Sequence, residues 1–172
     1  MWKSLTDSSF ENIAQNIKIL AIDFDGVMTN NKVYVSQDGI ETVLCSRLEG
    51  FGLKRVKQTG VYCIILSTET NPVVSVRAKK LRLDCIQAVE DKVTVFKQIL
   101  DDRNLTFDQA AFIGNDINDL ELLRRVALPV VVHDAHEVLK EISAYKTVRA
   151  GGDGAVRELC DAVASILEKQ AK

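Results

Sequence analysis

Asp23 and Asp25 flank a single phenylalanine, directly after the apolar run Ile17-Lys18-Ile19-Leu20-Ala21-Ile22 and just before Gly26. Such a run reads as a central strand of a parallel sheet, apolar on both faces. Charge at the end of a buried strand is costly unless something there uses it. Gly26 then allows the backbone to turn sharply. Other segments repeat the theme: Ser67 ends the run from Val61, and Gly114-Asn115-Asp116-Ile117-Asn118-Asp119 ends the run from Ala110. Between them Lys92 opens an amphipathic segment. Carboxylates, a hydroxyl and a lysine therefore meet on one rim if these runs are neighbouring parallel strands. Oxygen donors of this kind suit Mg2+, which keeps several waters and takes few protein ligands. A magnesium ion, a lysine and a hydroxyl are what a phosphoryl group needs for binding and charge neutralisation.

Taken singly, each of these residues has a plain structural explanation. Asp is common in turns, Ser67 could cap a helix, and Lys92 could be a solvated helix residue. The Asn115–Asp119 run could simply decorate a helix N-terminus. Their order, each at its own strand end, favours chemistry.

The elements that must position them alternate along the chain. A short N-terminal helix precedes the strand at 17–23. A hairpin follows, with Val33 to Ser36 and Ile40 to Cys45 joined by a Gln37-Asp38-Gly39 turn, since Asp-Gly is a strong hairpin signal. A helix from Gly50 to Gln58 ends at Gly60. The strand Val61–Ser67 leads to a helix opened by Pro72, then a short strand at Cys85-Ile86. Lys92–Arg103 reads as a helix with Val93, Phe96, Ile99 and Leu100 on one face. After the strand Ala110–Ile113 come a helix over Ile117–Arg125 and a strand over Leu128–Val132. A helix near Glu137–Ile142, a short strand near Thr147-Val148 and a last helix from Ala155 complete the pattern. This alternation predicts one α/β domain over residues 1–172, a doubly wound parallel sheet with a β-hairpin insertion.

A length of 172 residues suits one domain with a real core. A net charge of −2 gives no electrostatic reason to expect nucleic acid or an anionic membrane as a partner. The first sixteen residues are polar without an apolar signal core, and no apolar run is long enough to span a bilayer. Cys45, Cys63, Cys85 and Cys160 show no metal-type pairing and read as reduced, packed thiols of a cytoplasmic protein.

The D-x-D-G-V-x-T stretch, the strand-ending Ser67, Lys92 and G-N-D-x-N-D together resemble the four motifs of the haloacid dehalogenase superfamily. The resemblance implies aspartyl-phosphate chemistry. Asp23 would be the nucleophile, and Asp25 would protonate the leaving oxygen and later activate water. Ser67 would hydrogen-bond a phosphoryl oxygen, and Lys92 would neutralise charge and hold Asp23 ionised. Magnesium would be held by Asp23, the Asp25 carbonyl, Asn115 and Asp116, with Asp119 orienting Lys92 or a metal-bound water. Many relatives carry aspartate where this chain has Asn115, so either its amide oxygen ligates the ion with less charge, or the following Asp116 takes the larger share.

The intervals between Asp25, Ser67 and Lys92 are already used by the hairpin, helices and strands, so no cap domain fits. The chain is similar to the capless branch that dephosphorylates 3-deoxy-2-keto sugar acids, typified by 3-deoxy-D-manno-octulosonate 8-phosphate phosphatases. The hairpin, Glu49-Gly50-Phe51-Gly52 and the Gly151–Glu158 segment carry that likeness. It implies a homotetramer whose hairpins pack together and whose neighbours complete each site. It also implies sugar-acid contacts from Glu49, Gly50, Lys54, Glu69 and Arg77. Glu69 stands where the octulosonate enzymes usually have arginine and looks more like the nonulosonate 9-phosphate phosphatases. A third alternative is a non-catalytic tetramerisation module of the kind attached to some acylneuraminate cytidylyltransferases. Gly151–Gly154 reads either as a mobile loop or as a lid reaching a neighbouring site.

Overall fold

The computed structural model describes residues 2–171. Its main sheet has seven parallel strands: β1 (Lys3–Ser4), β2 (Ile19–Ile22), β5 (Tyr62–Leu66), β6 (Asp84–Ile86), β7 (Ala110–Gly114), β8 (Leu128–Val131) and β9 (Tyr145–Lys146). Their spatial order is β1-β9-β8-β7-β2-β5-β6, so β2 lies between β5 and β7. Ile19 pairs with Tyr62 on one side and Ala110 on the other, which brings the carboxyl ends of the three strands level.

The apolar run of β2 is explained by its two covered faces. Leu20 and Ile22 pack with Ile65, Ile113, Leu159 and Val163, while Ala21 packs with Leu66, Phe96 and Phe112. The first face carries α1 (Ser8–Ala14), α2 (Leu48–Gln58), α3 (Val73–Leu81) and α6 (Ala155–Gln170). The second carries α4 (Lys92–Asp102) and α5 (Leu120–Leu123). From β2 the chain adds β5 and β6 on one side and then returns to add β7, β8 and β9 on the other, and right-handed crossovers put the helices of these two halves on opposite faces. Burying a side chain such as Phe96, which is fully covered, contributes about 1.5–3 kcal/mol.

The antiparallel hairpin is a separate two-stranded sheet, β3 (Thr29–Val35) with β4 (Glu41–Cys45). Ser36 N donates to Ile40 O, and Gly39 adopts a φ of +76° in the turn. Tyr34 (73% exposed) and Ile40 (66%) show that the ribbon stands away from the core.

Several elements differ from the sequence expectation. The segment from Ile117 is a 3-10 turn (Ile117–Asp119) followed by the single turn of α5, because the Asp119 carboxylate draws the Asn115 and Asp116 N–H groups inward. Glu137–Glu141 is also a 3-10 helix. The last strand falls at Tyr145–Lys146 rather than at Thr147-Val148, since buried Tyr145 pairs with Val130 and Lys3. The Val148 N–H turns instead to the Glu158 carboxylate. The Gly151–Gly154 run is not a loose loop. Gly152 N donates to Val27 O (2.9 Å), Gly151 N to Asp134 Oδ1 (2.9 Å), and Gly151 is buried against Gly26. All four cysteines are free thiols, and no helix of the described residues is long and apolar enough to cross a membrane.

Candidate active site

Strand ends set the site. Asp23 follows β2 and is anchored by its N–H, which donates to Ile113 O of β7. Ser67 follows β5, its N–H donating to Ile86 O and its carbonyl accepting from Val89 N. Asp91 caps α4 by accepting from Val93 N (3.0 Å) and Thr94 N (3.1 Å), which fixes Lys92 as the first helical residue. Beyond β7, Gly114 has no Cβ because one would fall 2.4 Å from Asp119 Oδ2. That closeness lets Asp119 reach back over the strand end.

The centre is an ion-pair bridge. Lys92 Nζ lies 2.8 Å from Asp23 Oδ1 and 2.7 Å from Asp119 Oδ1, and all three side chains are almost fully buried. Burial alone would lower Lys92, but the two carboxylates outweigh it and raise its pKa, so the ammonium stays charged. Asp23 is pushed up by burial first and by the Asp119 charge second, with Lys92 opposing both. Asp119 Oδ2 accepts from Asn115 N (2.7 Å), so this carboxylate positions Lys92 and the motif loop together. Asp23 is held through Oδ1, which meets Lys92 Nζ and accepts from Phe24 N (2.8 Å). Oδ2 is left facing the cleft.

A cleft of about 320 Å3 opens there, lined by Asp23, Asp25, Ser67, Asn115 and Asp116, with Asn31, Thr68, Ile117 and Asn118 at its mouth. Asp25 is half-buried and its pKa is raised, by burial first and then by the Glu69 charge, while the Thr29 hydroxyl lowers it. A carboxyl tuned upward suits proton transfer near neutral pH. Ser67 Oγ accepts from Glu69 N (3.1 Å), which leaves its hydroxyl hydrogen free to donate into the cleft.

Among the described residues no three His, Cys, Asp or Glu side chains are gathered as a ready metal cage. The side chains that line the cleft offer carboxylate, amide and hydroxyl groups, whose ligating atoms are all oxygen. Hard oxygen donors in small number are what Mg2+ takes. Gly26 makes room for the Asn115 side chain, since a Cβ there would sit 2.1 Å from its Nδ2 and 3.3 Å from its Oδ1. Asp116 is partly buried and also caps the following turn through Ile117 N. The carboxylates of Asp23, Asp25, Asp116 and Asp119 exceed the charge of Lys92, so a cation fits the site electrostatically as well as by donor type.

The expected sugar contacts divide. Glu69 stays near Asp25, although Oε1 is engaged by Thr70 N (2.6 Å) and Asn71 N (2.8 Å). Arg77 donates to Ser46 O (2.6 Å), and its Nε is buried without a partner among the described residues. Gly50 and Lys54 line a different cleft, between α2 and α3, with Lys57, Lys80 and Arg82. Glu49 does not face the rim at all. It is fully buried and accepts from Gly154 N (3.0 Å) and Arg157 N (2.7 Å), capping α6. Burial raises its pKa to about 6 despite those two N–H donors. Asn31, Thr68 and Asn118 at the mouth were not singled out from sequence; only the placing of their loops brings them there.

The fold and this cleft define a class. The chain belongs to the haloacid dehalogenase-like hydrolase family, whose model matches residues 62–159. It is 30% identical over 149 residues to the 3-deoxy-D-manno-octulosonate 8-phosphate phosphatase KdsC of Escherichia coli K12, covering 86% of this chain and 79% of that protein. The phosphatase of that name from Moraxella catarrhalis, solved with magnesium, phosphate and KDO, superposes with a TM-score of 0.89 at 29% identity. That match covers 93% of this chain and 92% of the other. The Yersinia pestis phosphatase gives a TM-score of 0.90 at 29% identity, over 95% and 89% of the two chains.

Proposed function

We propose that the chain is a Mg2+-dependent phosphatase that hydrolyses a 3-deoxy-2-keto sugar acid phosphate of the 3-deoxy-D-manno-octulosonate 8-phosphate type. The observation that carries this reading is the Lys92 bridge, which holds Asp23 at the end of β2 with one oxygen free toward a cleft that also contains Asp25 and Ser67. Asp23 attacks phosphorus as the bond to the sugar oxygen breaks, and Asp25 gives that oxygen its proton. The resulting aspartyl phosphate is cleaved by water, whose proton Asp25 takes back, releasing phosphate and restoring Asp23. Ser67 donates to a phosphoryl oxygen, and Lys92 offsets the charge gathering on the phosphoryl group. Asp23, the Asp25 carbonyl, Asn115 and Asp116 would hold the magnesium ion. When bound, it supplies positive charge to the phosphoryl oxygens and to Asp23.

The open cleft and the exposed apolar ribbon support a homotetramer in which hairpins pack on one another and neighbours cover each site. Four free thiols fit a reducing compartment, the cytoplasm. Glu69 beside Asp25 favours a second substrate reading, a nonulosonate 9-phosphate, because a carboxylate there suits hydroxyl or amine groups.

The test is phosphate release from octulosonate 8-phosphate, nonulosonate 9-phosphates and 4-nitrophenyl phosphate, with and without Mg2+. We expect metal-dependent preference for one sugar acid ester, abolished in Asp23→Asn. Tetramers without turnover of any ester would instead make the chain an assembly module.

A further inference from the structure

Beyond the charged floor, the cleft mouth is made of uncharged hydrogen-bonding groups: Asn31, Thr68 and Asn118, with Ile117 beside them. Asn118 Nδ2 lies 3.5 Å from Thr68 Oγ1, so these two already face each other. Asn31 comes from the hairpin, and its backbone is unusual. Its φ is +60°, a left-handed conformation that most side chains disfavour and asparagine tolerates better than most. The register explains why. Thr29 pairs with Cys45 and Val33 with Val43, so Asn30, Asn31 and Lys32 fill the interval that Leu44 alone spans on β4. A bulge of this kind re-aims a side chain.

The bulge does not need the Asn31 side chain. Thr29 Oγ1 accepts from Asn31 N (3.2 Å), and Asn30 Oδ1 accepts from Lys32 N (3.2 Å). The Asn31 amide makes no hydrogen bond among the described residues, and glycine would occupy this φ with less strain. The bulge thus sets at the mouth of the cleft an exposed amide that the fold does not use, where a ligand can meet it.

We infer that Asn31 is a specificity-determining residue, its side-chain amide hydrogen-bonding hydroxyls of the polyol carbons next to the scissile phosphate ester. The inference rests on the phosphatase reading above. An amide both donates and accepts, which matches a hydroxyl, and it adds no charge to a cleft that must admit a phosphate.

The test is the ratio of kcat/KM for octulosonate 8-phosphate to that for 4-nitrophenyl phosphate, whose leaving group has no hydroxylated chain. In Asn31→Gly this ratio should fall roughly 5–10-fold, the worth of one hydrogen bond, chiefly through KM. Asn31→Asp keeps the shape and tolerates the backbone but exchanges the N–H donor for an acceptor, and it should lower the ratio too. An unchanged ratio in both variants, or an equal loss on both substrates, would overturn the assignment. If the wild-type protein cleaves the aryl ester but not the octulosonate ester, the sugar-acid reading fails. The same ratio measured with glycerol 3-phosphate then decides for Asn31. No turnover of any ester overturns both.

Discussion

Lys92→Met strands two buried carboxylates at once. The ammonium is within 2.8 Å of Asp23 and 2.7 Å of Asp119, with no more than 4% of any of the three side chains exposed. Removing one partner from a buried ion pair costs about 3–5 kcal/mol, a large share of the roughly 5–15 kcal/mol that holds a typical domain together. For a domain of this size each kcal/mol moves Tm by about 2–4 °C, so thermal unfolding followed by circular dichroism should show a fall of roughly 6–20 °C. Adding Asp119→Asn to that variant removes one of the stranded charges. Its amide oxygen can still accept the Asn115 N–H that Asp119 now holds at 2.7 Å. The double variant should therefore regain about 1–3 kcal/mol relative to Lys92→Met alone. Turnover should not return with stability, staying about 10²–10³-fold down, because the proposed mechanism needs the Lys92 charge against the phosphoryl group. A Lys92→Met variant within 1 kcal/mol of wild type, or a double variant whose losses simply add, would refute the claim that this bridge is held by mutual charge compensation.

The Glu49 cap carries a pH signature. Its folded-state pKa is raised from 4.5 to about 6, so the folded protein binds the proton more tightly and loses stability as pH rises through that window. The loss is about 2 kcal/mol, and urea denaturation from pH 4 to 7 should show most of it in wild type and a flatter profile in Glu49→Gln. Gly151→Ala should destabilise by about 3 kcal/mol, because its Cβ would fall 1.8 Å from Gly26 O. Gly39→Ala meets no atom within 4 Å and should cost only about 1–2 kcal/mol for its φ of +76°. Equal effects in the two glycine variants, read by chemical denaturation, would contradict the close packing of the glycine-rich run.

Residues at strand ends were legible in the sequence because burial constrains them. Asp23, Ser67 and the Asn115–Asp119 run each follow an apolar run that has few other readings, and the parallel sheet then brings them together. Glu49 was not legible in this way. A glutamate in the first turn of a helix looks like surface charge, and only the arrival of α6 from far along the chain shows that its carboxylate points inward. Asn31 was hidden for a related reason, since a bulge depends on the register of two strands and not on local propensity. The glycine-rich run looked mobile because flexibility is what isolated glycines suggest. Here they are small because Gly26, Val27 and Thr29 lie against them.

The strand order has a consequence for how activity is acquired. β2 is made early but cannot complete its ladder until β7 exists, and β1 waits still longer for β9. Parallel pairings between distant segments form slowly, because chain closure must precede any reward from contact. The Lys92 bridge joins the end of β2, the start of α4 and the segment after β7, so it needs all three in place. Recovery of hydrolysis after dilution from denaturant should track the slowest step of sheet assembly, and no fragment ending before Asp119 can be competent.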